Sequence, residues 1–115
     1  MKKVVWCLPI LGLFAFVNTA SAQDKDKGAT VFASHGCPMC HSIAGKGNVK
    51  GPLDDVGAKL TPAEIRGWIT DPAGSAAKAK ADRKPAMSVM QAKFKDLSKD
   101  DLDSLVAYLS SQKKK

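Results

Sequence analysis

The seven residues HGCPMCH at positions 35–41 constrain this chain more than any other stretch. Two thiols three apart, with an imidazole directly after the second, admit three readings: a catalytic dithiol, zinc ligands, or a site where a haem is attached covalently and its iron ligated from one side. A thioredoxin-type dithiol needs its cysteines at a strand-to-helix junction within alternating strands and helices. No period-2 alternation of useful length occurs beyond residue 22, so that context is missing. His35, Cys37, Cys40 and His41 are the right residue types for zinc, but structural zinc sites bring ligand pairs from separated segments with at least two residues inside each pair. Covalent haem attachment uses what is present. Two thiols on one helical turn add across two vinyl groups, and His41 supplies the proximal iron ligand. His35 lies outside the fused motif and reads as a surface residue near a helix end.

The first 22 residues differ from the rest. Lys2 and Lys3 precede an apolar run from Val4 to Val17, and Ala20-Ser21-Ala22 offers small residues for cleavage. This is the pattern of a secretory signal peptide, and the run is short of the ~20 residues that a membrane span needs. Residues 1–22 are therefore expected to leave, taking Cys7 with them, and residues 23–115 to form one domain in the periplasm with no stable membrane anchor. A domain this small has a thin core that usually needs a metal, a disulfide or other internal support. Only Cys37 and Cys40 remain after processing, so no disulfide framework exists unless those two bridge each other. Without Lys2 and Lys3 the net charge falls by two from +7 to +5, which suits a negatively charged partner. Nucleic acid is excluded as that partner: an exported chain does not meet it, and the lysines lack aromatic interleaving.

Three helices are expected. The first runs from Asp24 to His35, with Gly28 and Phe32 on one face; glycine inside a helix costs about 1 kcal/mol against alanine, which points to close packing there. The second starts at Thr61 with Pro62 and Glu64 completing a capping box, buries Ile65, Trp68 and Ile69, and stops at Asp71-Pro72. The third has Ser98 as N-cap, Leu97 and Leu102 as a staple, and Leu102, Leu105, Val106 and Leu109 as one apolar stripe beside Tyr108. Residues 45–50 and 73–85 read as loops, although the run from Ala76 to Ala81 permits a helical turn or two. Lys113 to Lys115 read as a solvated, frayed tail. The fold class is all-α.

Six-coordinate haem needs a second axial ligand, and a thioether is the usual soft partner for electron transfer. Met39 sits between the attachment cysteines and is geometrically unavailable, which leaves Met87 and Met90. In general, methionine more often fills core space.

In order, Gly28 and Phe32, Cys37-Pro38-Met39-Cys40-His41, Gly51-Pro52-Leu53, Trp68, a ligand methionine and Leu105-Val106-Ala107-Tyr108-Leu109 resemble a class I c-type cytochrome over residues 24–112. The resemblance implies a small cytochrome c fold in which the first and last helices cross, Gly28 and Phe32 meeting Leu105 and Tyr108. It implies one covalently attached haem c, with Leu53 and Trp68 lining its pocket. The Pro52 carbonyl would accept the ring N–H of His41, and Met90 would be the distal ligand, with Met87 the alternative. Gln91 follows Met90 where the family often has proline. The function implied is a monomeric periplasmic electron carrier rather than an enzyme, cycling Fe(II)/Fe(III) between redox partners with acidic docking surfaces. Lys46, Lys50, Lys93 and Lys95 would steer those partners. Two other readings stand beside it: a haem sensor or ligand-binding module whose methionine is labile, and the cytochrome subunit of a larger oxidoreductase.

Overall fold

The computed structural model describes residues 20–82 and 84–114, and most of the expected signal segment lies outside them. Six helices form among these residues: α1 (Ala20–Ser34), α2 (Val56–Lys59), α3 (Pro62–Thr70), α4 (Pro72–Ala79), α5 (Gln91–Phe94) and α6 (Lys99–Ser110). The strands β1 (Ser42–Ile43) and β2 (Lys46–Gly47) are two residues each and make a single antiparallel hairpin. The domain is all-α in its load of secondary structure, as the absence of alternation predicts. No helix among the described residues is long and apolar enough to cross a membrane.

The helix boundaries follow local chemistry. At α3 the Thr61 hydroxyl accepts the Glu64 N–H at 3.3 Å, and the Glu64 carboxylate accepts the Thr61 N–H at 2.7 Å, so both arms of the capping box are made. At α6 the Ser98 hydroxyl accepts the Asp101 N–H at 3.1 Å. α4 replaces the loop expected over most of residues 73–85. Asp71 caps it by accepting the Gly74 N–H at 3.0 Å, Pro72 is its first residue, and the alanine-rich run that follows has little reason to leave the helix. Removing the α3 cap in Thr61→Ala is expected to cost about 1 kcal/mol, read as a fall in melting temperature of roughly 4–8 °C.

The core is built where α1, α3 and α6 converge on β1: Val31 and Phe32, Ile65 and Ile69, Leu105, Val106 and Leu109, and Ile43 are buried. α1 and α6 share the most extensive contact between elements. Gly28 explains how they come so close. A Cβ there would run into the carbonyl oxygen of Ser104 and the Cβ of Tyr108, so one helix backbone rests directly on the other. One turn along, the Phe32 and Tyr108 rings meet edge to face with centroids 5.9 Å apart. At the rim of this contact Lys27 pairs with both Asp100 and Asp101.

The C-terminal tail is not frayed through its described length. The Gly57 N–H donates to the Gln112 carbonyl at 2.9 Å and the Lys114 N–H to the Asp55 carboxylate at 2.9 Å, which docks the chain end on α2. Backbone hydrogen bonding, invisible in a lysine run, accounts for the difference.

Candidate haem-attachment site

The motif sits on a 3₁₀ turn, Cys37–Met39, entered through Gly36 in the left-handed region at φ 76°. The Cys37 carbonyl accepts from the N–H of Cys40 at 3.2 Å and of His41 at 3.0 Å, so both sulfur-bearing residues and the imidazole share one turn. Their surroundings differ. Cys37 is half-buried and packs on the core, whereas Cys40 is exposed; they do not bridge each other. Burial pushes the Cys37 thiol up to about 11, the reverse of the thiolate-favouring setting that a catalytic dithiol requires. Among the described residues no three His, Cys, Asp or Glu side chains gather at a metal-sized site, so the four candidate zinc ligands do not assemble one.

The chain leaves the motif through the hairpin, whose register pairs Ser42 with Gly47 and Ile43 with Lys46. It then returns to the turn at Asn48, whose N–H donates to the carbonyls of Pro38 and His41, each at 3.0 Å. Beyond it, the Ser42 N–H donates to the Gly51 carbonyl at 3.1 Å and the Leu53 N–H to the Ser42 carbonyl at 2.8 Å. Nδ1 of His41 lies 3.1 Å from the same Gly51 carbonyl. A carbonyl only accepts, so Nδ1 carries the ring proton and the neutral ring has its lone pair on Nε2. This moves the contact one residue from the expected Pro52. The register of Ser42 turns the Gly51 carbonyl inward, and successive carbonyls along extended backbone alternate in direction. A Cβ on Gly51 would strike the carbonyl of Cys40 and approach Nδ1 of His41 to 3.1 Å, so a bare backbone is needed here.

Leu53 is half-buried and packs on the core, as does Met87. Met87 and Met90 begin and end a second 3₁₀ turn, Met87–Met90. The Met90 methyl and the Lys93 ammonium each lie 3.9 Å from where a Cβ on Gly36 would stand, which brings this segment against the attachment turn. Trp68 departs from its expected burial. It is half-buried and lines a groove of about 360 Å³ between α3 and α4 with Leu60, Gly67 and Lys78. His35 caps the end of α1, its Nδ1 3.1 Å from the Val31 carbonyl. The sequence reading gave Gly51 no role beyond its place in Gly51-Pro52-Leu53 and overlooked Asn48. The only signal for either is the turn chemistry of Asn48, whose side-chain oxygen accepts the Lys50 N–H at 3.0 Å.

Two thiols and an imidazole on one turn, with the imidazole oriented by a backbone carbonyl, define a c-type haem-binding protein. Residues 25–113 match the Cytochrome c family, and the chain belongs to that family. Its members bind covalently attached haem c and serve as haem-based electron carriers, and the donor set described above fits that group. Among curated proteins, cytochrome c oxidase subunit 2 of Alkalihalophilus pseudofirmus (strain ATCC BAA-2126 / JCM 17055 / OF4) is 28% identical over 111 residues, covering 89% of this chain and 30% of that relative. The chain therefore spans under a third of the relative's length. No solved structure matches it.

Proposed function

We propose that the protein is an exported, periplasmic electron carrier that exchanges single electrons with transiently docked redox partners. The observation that carries this reading is the attachment turn, where Cys37, Cys40 and a His41 ring fixed to the Gly51 carbonyl lie together. When bound, haem supplies an iron that gains and loses one electron at a time. Cys37 and Cys40 would form the two thioethers, and His41 would hold the iron through Nε2. The hydrogen bond at Nδ1 fixes the ring plane and raises its basicity. A methionine thioether would complete the ligand pair, leaving no open position for a substrate. Leu53, half-buried against the core, would line the haem pocket. Lys46, Lys50, Lys93 and Lys95 are exposed, and their charge favours acidic docking surfaces.

The sequence pattern put Met90 ahead of Met87 as distal ligand. The approach of the Met90 methyl to Gly36 at the attachment turn supports Met90, whereas Met87 packs on the core as a space-filling methionine does. Met90→Ala is expected to abolish the ferric charge-transfer band of a His/Met haem, and Met87→Ala to retain it; the reverse pattern moves the role to Met87. Loss of that band in neither variant would remove methionine ligation from the proposal.

Likeness to an oxidase subunit favours a second reading, in which the domain delivers electrons as part of a larger oxidoreductase. Purification of the native protein separates the two: a monomer supports the free carrier, and a stable complex with a catalytic subunit supports the second reading.

A further inference from the structure

Asn48 ties the attachment turn to the segment that faces the His41 ring, and both of its side-chain polar groups take part. Its amide nitrogen donates to the Met39 carbonyl at 3.1 Å, and its side-chain oxygen accepts the Lys50 N–H at 3.0 Å. Its backbone reinforces the link, since its carbonyl accepts the Gly51 N–H at 3.1 Å. One residue thereby fixes both ends of the short bend that delivers the Gly51 carbonyl to within 3.1 Å of Nδ1 of His41.

We propose that Asn48 is a positioning residue for His41: it holds the Gly51 carbonyl against the ring and so sets how strongly the imidazole donates to iron. The inference rests on the cytochrome reading above. A carbonyl well aligned with Nδ1–H makes the ring a stronger donor, which favours the ferric over the ferrous state. Loosening the bend weakens that donation and raises the midpoint potential. Asparagine is the residue type that suits the position, because the contact with Met39 needs a donor and the contact with Lys50 an acceptor. Aspartate keeps the second and places a charge against the Met39 carbonyl. Val49, next in the same bend, is exposed and serves as a control for general disturbance.

The experiment uses the haem-loaded full chain. Redox titration compares wild type, Asn48→Ala, Asn48→Asp and Val49→Ala, and amide hydrogen exchange is followed at Ser42 and Gly51. Asn48→Ala is expected to shift the ferrous-to-ferric ratio at fixed ambient potential up to tenfold toward ferrous, which is at most 59 mV for one electron. Exchange at Ser42, whose N–H donates to the Gly51 carbonyl, should accelerate as the bend loosens. Asn48→Asp should also shift the potential, while Val49→Ala should leave it unchanged. If Asn48→Ala does not mature, Asn48→Ser, which keeps an oxygen for the Lys50 N–H but cannot reach as far, is read in its place. An unchanged potential in a haem-loaded Asn48 variant, or an equal shift in Val49→Ala, overturns the inference alone. A wild-type protein that carries no haem overturns the cytochrome reading with it.

Discussion

Replacing Cys37 and Cys40 together with alanine is expected to leave a polypeptide that retains no haem through denaturation. Intact mass of the exported protein would fall to that of the bare chain, and haem staining on a denaturing gel would vanish. The size of the effect follows from the bond type. The proposed His41 and methionine ligands would hold iron by coordination only, which a denaturant releases, whereas a thioether survives it. The single variants separate the two sulfurs. Cys40 is exposed, so Cys40→Ala should remove one attachment with little effect on packing. Cys37 packs on the core, so Cys37→Ala should remove the other attachment and also lower the melting temperature by a few degrees, since a small buried side chain is lost. Full haem retention through denaturation in the double variant would refute the assignment of the motif.

Gly28 is the second position where one change should have a large consequence. Helix propensity alone would make Gly28→Ala stabilising by about 1 kcal/mol. The site reverses the sign, because the new methyl would meet a backbone carbonyl, that of Ser104, which cannot swing aside as a flexible side chain can. Overpacking of a tight core costs about 1–3 kcal/mol, and forcing two helix backbones apart lies at the upper end of that range. A net loss of about 2 kcal/mol is expected for alanine, or roughly 8–16 °C in melting temperature for a domain of this size. Gly28→Val, bulkier and β-branched, should prevent α1 and α6 from docking. Thermal denaturation checks both, and a melting temperature at or above that of the wild type in Gly28→Ala would show that the helices separate at no cost.

What could be read without coordinates is what local rules decide. The caps at Thr61 and Ser98 depend on residues three apart, and the stripe through Leu105, Val106 and Leu109 depends on helical period; both are in place. The attachment motif is equally local. Gly28 was legible because a glycine in a helix is costly enough to need a reason. Other features depend on where distant backbone lies. Gly51 rather than Pro52 faces His41 because the pairing of Ser42 sets the direction of a carbonyl, and residue types carry little trace of that. Trp68 follows the helical period toward the core, yet it borders the groove against α4, where the sequence reads as a loop with room for a helical turn or two. The docked C-terminal tail rests on backbone donors of Gly57 and Lys114, which every sequence possesses.

The embrace of α1 by α6 has a consequence for the order in which the molecule is completed. Lys27 and Asp100, which pair across that contact, are 73 residues apart. Synthesis runs from the N-terminus, so α6 emerges after the other described helices, and until then α1 lacks its most extensive contact. Contacts of such long range also form slowly. During that interval the core against which Cys37 packs still lacks Leu105, Val106 and Leu109, so the surroundings of the sulfur are completed late.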